Sequence, residues 1–278
     1  MKKIAFLILV FPLLMSCKNE KTKEVSWTYL FNGKNLSNWD TYIGPLYSEK
    51  KGDFDGARVG LNNDPRNVFS VVELDGENVM KISGTEFGGI STKEEFQNYH
   101  LSLQFKWGKN KYAPKNTSKR DSGLLYHATG EHGVDWFFWM KSQEFQIQEG
   151  DCGDYWGLAS EVDVRAIMNS DSTYIYNKTG ELLHFGTNGV NRNVKKYPDA
   201  ENPTGDWNTL ELYSFGTTSV HVVNGVVTMI LENSRQLIDG KNLPLSKGKF
   251  QLQSEGAEIY YKDIKLKPIT EIPSDLLF

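Results

Sequence analysis

Cysteine is nearly missing: the 278 residues contain two, Cys17 and Cys152. If Cys17 is consumed by processing, Cys152 is alone and no intramolecular disulfide can form, although an oxidising compartment would allow one. Cys152 also lies among acids, which disfavour its thiolate and so argue against a cysteine nucleophile. An excess of positive charge is missing too. The 31 Lys and Arg face 35 Asp and Glu, for a formal net charge of −4, so there is no basic footprint for nucleic acid. Helical periodicity is scarce, and nothing repeats at a fixed period, which disfavours solenoids and propellers. The apolar run Ile4–Met15 is too short to span a bilayer comfortably.

That run is informative in another way. Lys2 and Lys3 precede it and Ser16-Cys17 follow it, the layout of a secretory signal peptide. Leu14-Met15-Ser16-Cys17 resembles a bacterial lipobox, which implies cleavage before Cys17 and diacylglycerol on its sulfur. The expected organisation is a signal peptide over 1–16, a lipidated Cys17 with a polar tether over 17–26, one domain over 27–270, and a tail over 271–278. The expected location is the cell envelope, held to a membrane by lipid rather than by a helix.

The mature chain alternates. Leu101, Leu103, Phe105 and Trp107 fall on one side of a strand, with His100, Ser102, Gln104 and Lys106 on the other. Residues 68–83 and 219–232 each read as two strands joined by Asp75-Gly76 and Asn224-Gly225, strong hairpin signals. Further strands are expected at 122–128, 143–149, 172–177, 181–185, 208–215, 249–255 and 257–267. Leu158–Met168 is the one stretch that reads as either a helical turn or a strand. The sum is an all-β sandwich or jelly roll. Long loops at 40–67, 106–121 and 186–206 are the expected carriers of a binding site.

Residues 142–157, SQEFQIQEGDCGDYWG, carry the strongest chemical signal. Glu144, Gln146 and Gln148 share one strand face, offering donors and acceptors in a row. That suits sugar hydroxyls, which both give and accept hydrogen bonds; a solvated sheet face is the plainer reading. Just upstream, Trp136, Phe137, Phe138 and Trp139 cannot all face one core. Trp139, with Trp156 downstream, is a candidate sugar platform. In residues 106–127, Lys106 and Arg120 are candidate cations, Tyr126 a candidate substrate contact, and Asp121 with His127 a carboxylate–imidazole pair suited to base catalysis. Glu149, Asp151 and Asp154 offer oxygen ligands to a hard divalent cation such as Ca²⁺, though without the EF-hand spacing.

Two resemblances follow from these residues. Glu144-Phe145-Gln146-Ile147-Gln148-Glu149 is similar to the Glu-x-Asp-x-x-Glu strand of laminarinase-like retaining glycoside hydrolases, with Gln146 in place of the Asp. There a β-bulge turns both glutamates to one face, which would pair Glu144 with Glu149. The wider resemblance is carried by YLFNGKNLSNWD, GGIST, RDSGLLYH, QEFQIQEGDCGDYWG, GDWNTLELY, VNGVV and GKFQLQSEGAEIYYKDIKL, in order along the mature chain. These resemble the 3-keto-disaccharide hydrolase domain family, in a variant with Asp121 and His127 where many members have Asn and Arg. The resemblance implies a concanavalin A-like jelly-roll sandwich of two curved antiparallel sheets with a concave cleft. It also implies a carbohydrate substrate already oxidised at C3. Glu144 or His127 would then be the base, with Gln146 and Gln148 on hydroxyls and Arg120 or Lys106 at the enolate oxygen. A lectin-like protein that binds sugar without cleaving it is the third reading.

Overall fold

The computed structural model describes residues 26–277; the leader and Cys17 lie outside the described residues. Two antiparallel sheets pack face to face as a jelly-roll sandwich. The larger runs in spatial order through Tyr174–Tyr176, Glu161–Met168, Val226–Ile238, Thr218–Val223, Asn208–Phe215, Tyr99–Lys111, Ala257–Pro268, Glu77–Ile82 and Phe69–Leu74. The smaller runs through Asn193–Val194, Tyr155–Leu158, Lys141–Gln148, Asp121–Thr129, Lys247–Ser254, Gly88–Thr92, Trp39–Ile43 and Gly60–Leu61. Sequence neighbours are often far apart in this order, so each sheet needs pairings between distant segments to form.

Alternation builds the core between the sheets. Leu101, Leu103, Phe105 and Trp107 are buried against Leu124, Phe145, Ile147, Phe250 and Leu252 of the smaller sheet. Each such side chain contributes about 1.5–3 kcal/mol by leaving water. Both expected hairpins form. Asp75 and Gly76 have φ of 54° and 83°, Asn224 and Gly225 of 49° and 79°, the left-handed pairs a two-residue I′ turn requires. Residues 161–168, undecided between helix and strand in sequence, form the strand Glu161–Met168.

Two expected loops are more ordered than their composition implies. Residues 40–67 hold the strands Trp39–Ile43, Leu46–Ser48, Asp53–Asp55 and Gly60–Leu61. Tyr99–Lys111 runs five residues past Lys106 before the chain leaves the sheet. At the other end of the chain, Ile272 is buried and packs with Leu276 and Leu277 on Val220 and Val222. One face of the smaller sheet is thereby committed to the core, and the other carries a site.

Candidate functional site

The strand Lys141–Gln148 pairs with Asp121–Thr129 in unbroken register from Asp121↔Gln148 to Tyr126↔Gln143. With no bulge in that stretch, period-two alternation puts Glu144, Gln146 and Gln148 on the face away from the core, together with Asp121 and Gly123 of the neighbour. On the far side of Asp121–Thr129 lies Lys247–Ser254, which contributes Gln253 to the same face, and Glu255 follows at its end. The absent side chain of Gly123 matters here. A Cβ at that position would lie 2.4 Å from an oxygen of both Glu144 and Gln253, so glycine is what lets the two groups approach from adjacent strands.

These residues line a cavity of about 280 Å³ whose walls also include Trp136, Trp139 and Trp156. Lys115 reaches in from the loop after Tyr99–Lys111 and bridges Asp121 and Glu255. Asp121 further accepts hydrogen bonds from Gln148 Nε2 at 2.7 Å and Gln146 Nε2 at 3.3 Å. Glu144 is also buried, yet its carboxyl has no hydrogen-bond partner among the described residues. Burial, then the neighbouring Glu255 and Asp121, push its pKa well above the ordinary carboxylate value. Burial and Asp121 raise Glu255 to about 8, against the opposing pull of Lys115. Lys115 itself is raised, because the two carboxylates outweigh its own burial. The oxygens Gln146 Oε1 and Gln253 Oε1 are buried without a partner. The carboxyls of Asp121, Glu144 and Glu255, the Lys115 ammonium and unsatisfied amides, with Asp135 and Arg192 at the edge, form a polar site still open to a ligand's hydrogen bonds.

The tryptophans divide by position. Trp139 is buried, with Nε1 donating to Gly88 O at 3.2 Å. Trp156 is partly open, across from Glu144 in the register Glu144↔Trp156. Of the four consecutive aromatics, Phe138 and Trp139 are buried while Trp136 and Phe137 are exposed. At the cavity edge Arg192 pairs with Asp135 at 3.1 Å and donates to Gly157 O.

Several expected site residues lie elsewhere. A β-bulge follows Tyr126, where the register of Asp121–Thr129 shifts, and His127 adopts φ of 51°. Tyr126 faces the core by the strand's regular alternation, with Leu124, and the added residue turns His127 to the same side. The Tyr126 hydroxyl meets His221 Nε2 at 3.2 Å, and His127 Nε2 meets the Ser214 hydroxyl at 3.1 Å. Burial lowers the pKa of His127 to about 3, so it is a neutral structural group rather than a base in the cleft. Lys106 belongs to the larger sheet and meets Asp75 at 3.2 Å. Arg120 turns to Glu149 at 3.1 Å and donates from Nε to Gly108 O.

That pairing also removes Glu149 from Glu144. Burial acts to raise Glu149, but hydrogen bonds from Thr204 and Arg120 outweigh it and hold the carboxyl below its ordinary value. Asp151 pairs with Lys119. Asp154, raised by burial to about 7, accepts from the Lys196 backbone N–H. The three acids proposed for a cation are thus separately engaged, and no group of three or more His, Cys, Asp or Glu suited to holding a metal occurs among the described residues.

Lys115, Gln253, Glu255, Asp135 and Arg192 were not singled out by the sequence reading. One signal was available for Gln253. The motif Phe-Gln-aliphatic-Gln occurs twice, as Phe145-Gln146-Ile147-Gln148 and Phe250-Gln251-Leu252-Gln253, and the two strands that carry it flank Asp121–Thr129 on either side.

A β-sandwich with an amide- and tryptophan-lined acidic cleft on one sheet defines a carbohydrate-type site. The sequence model of the 3-keto-alpha-glucoside-1,2-lyase-like domain matches residues 26–267, and the chain belongs to that family. Among solved structures, one candidate glycosyl hydrolase from Parabacteroides distasonis is 18% identical with a TM-score of 0.50, covering 87% of this chain and 94% of that one. A second from the same organism is 20% identical with a TM-score of 0.48, covering 88% of this chain and all of the other. The first likeness speaks for the fold alone. No curated protein matches.

Proposed function

We propose that this protein cleaves 3-keto-glycosides by removing the C2 proton, eliminating the C1 substituent and adding water. The observation that carries the reading is Glu144: a buried carboxyl without a hydrogen-bond partner, facing a sugar-sized cavity beside a lysine held between two further carboxyls. A ketone at C3 makes the C2 hydrogen acidic. Glu144 takes that proton, and the electron pair forms an enolate whose oxygen Lys115 steadies. As the enolate collapses, the C1–O bond breaks, C1 and C2 become doubly bonded, and the leaving oxygen receives a proton from Glu255. Water then adds to C1, and a proton returns to C2.

Glu144 and Glu255 act as an interacting pair. Burial and then Asp121 push the Glu255 carboxyl upward, which favours the protonated form that can donate to the leaving oxygen. That proton removes the largest charge repulsion on Glu144 and eases its ionisation. Gln146, Gln148 and Gln253 hold hydroxyls, and Trp139 and Trp156 supply apolar faces to the ring. A retaining mechanism through Glu144 and Glu149 has less support, because Glu149 is bound to Arg120. We further propose that lipid on Cys17 tethers the domain to the cell envelope.

The test is incubation of purified protein with a glucoside and its 3-keto derivative. The 3-keto compound should be cleaved, more slowly when deuterated at C2, and the plain glucoside left intact. Cleavage of the plain glucoside alone would overturn the proposal. Cleavage of neither, with sugar binding retained, would favour a binding protein.

A further inference from the structure

A second cavity, of about 950 Å³, meets the sugar cavity at four shared residues, Lys115, Trp136, Trp139 and Glu255. Its wall is of another kind. Six aromatic side chains, Phe54, Phe87, Trp136, Phe137, Phe138 and Trp139, contribute to it, and no amide or hydroxyl side chain lines it. Beyond the shared Lys115 and Glu255, its charged groups are Asp53 and Arg58, the latter with its guanidinium 5.5 Å from the centre of the Phe137 ring. Phe54, Phe87 and Phe138 pack on one another with ring centres 4.7–5.5 Å apart.

The aromatic rim is held at a conformational cost. Trp136 and Phe137 have φ of 52° and 72°, a left-handed region that bulky residues rarely occupy. The turn is closed by reciprocal backbone bonds between Asp135 and Trp139, at 3.0 and 3.1 Å, and is pinned by the Arg192–Asp135 pair. Gly44 leaves room for the Phe138 ring, which would lie 2.2 Å from any Cβ there. Strain kept in place by its surroundings, with two large rings left exposed beside a polar cavity, is the pattern of a ligand clamp.

From this we infer that the aromatic chamber receives the leaving group, and that the preferred substrates are 3-keto-glycosides of planar aromatic alcohols rather than 3-keto-disaccharides. This rests on the function proposed above. Glu255 at the junction is where a proton would be delivered to the departing oxygen, so the atoms beyond that oxygen enter the chamber. A second sugar would place most of its hydroxyls against aromatic rings, with only Asp53 and Arg58 beyond the junction to bond them, at a cost for each hydroxyl left dry. An aryl group would instead stack on Phe137 and Trp136 and lie under the Arg58 cation.

The experiment compares methyl and phenyl 3-keto-glucosides of one anomer, with wild type and Phe137→Gly. Phe137 lines only the chamber and is 61% exposed, and glycine accepts its φ, so the variant should fold with an unchanged Tm. The intrinsic difference between the leaving groups cancels when the two proteins are compared. The ratio of kcat/KM for phenyl over methyl should fall by about tenfold in the variant. An unchanged ratio would overturn the inference. If wild type cleaves neither compound, the proposed function fails and the chamber is read by calorimetry with the unoxidised phenyl and methyl glucosides. The phenyl compound should then bind about tenfold tighter, and Phe137→Gly should abolish the difference. Equal affinities in wild type would overturn the inference.

Discussion

Glu144 and Gln253 approach each other across Gly123, and a methyl group on that glycine would stand 2.4 Å from an oxygen of each. The backbone of Gly123 is not left-handed, so alanine is acceptable to the chain and offensive only to the site. Gly123→Ala should therefore lower kcat/KM about 100-fold, the scale expected when reacting groups are displaced by about an ångström. Stability should fall by no more than about 1–3 kcal/mol, the usual range for one added methyl. Steady-state kinetics with urea unfolding would check both. Full activity in the variant would mean that Glu144 and Gln253 do not act at their observed positions.

Lys115 joins Asp121 and Glu255, and its loss should be felt twice. Lys115→Met removes the charge assigned to the enolate oxygen, so kcat should drop about 100- to 1,000-fold. It also leaves two buried carboxyls without their cation. Because the lysine is 26% exposed, the stability cost should be about 1–3 kcal/mol, below that of breaking a fully buried pair. That cost should be smaller at pH 5 than at pH 8, since protonation neutralises the stranded carboxyls. A pH-independent loss would argue that Lys115 acts through packing alone.

Trp156 is partly exposed and stands opposite Glu144. Trp156→Ala should raise KM about 3- to 10-fold through the loss of a ring face, with Tm shifted little because no core contact is removed. Should kcat fall while KM holds, Trp156 would have a role in the transition state instead of ground-state sugar binding.

His127 yields the opposite expectation. It is fully buried between Tyr99, Tyr126 and Ser214, and its φ of 51° penalises most replacements. His127→Ala should cost about 2–4 kcal/mol in denaturant unfolding, as cavities in cores do. The kcat of the folded protein should stay within about twofold, an estimate that follows from its burial away from the cleft. A collapse of kcat with stability intact would restore His127 to the mechanism.

The contrast between Glu144 and His127 marks what was legible in the sequence. Alternation alone gave the sandwich, the two hairpins and the shared face of Glu144, Gln146 and Gln148, because a strand's period holds wherever its pairing is regular. His127 was misplaced by the same count. A bulge after Tyr126 adds one residue, and one residue is enough to exchange the two faces of a sheet. Lys115 could not be chosen from the six cations between Lys106 and Arg120, since its selection depends on Asp121 and Glu255 meeting from different strands. Glu255 itself follows a strand end, where alternation no longer assigns a side. The repeat of Phe-Gln-aliphatic-Gln was readable, but its meaning depends on knowing that its two copies flank one central strand.

The charge state of Glu144 makes a last prediction, about stability. In the unfolded chain its carboxyl titrates near 4.5, and in the folded protein burial and its acidic neighbours place it well above that. Between those two values the folded state holds more protons than the unfolded state, so stability must fall as pH rises through the interval. Glutamine keeps the shape of Glu144 and does not titrate. Glu144→Gln should therefore match or exceed the wild-type Tm at pH 7 and lose less of it by pH 9, while cleavage of a 3-keto-glycoside is abolished. Some alkaline loss should persist, because Glu255 still titrates near 8. Thermal melts of both proteins at pH 5, 7 and 9 give the comparison. Parallel curves would mean that Glu144 is ionised throughout this range in the folded protein, and that burial and its acidic neighbours do not hold its pKa up.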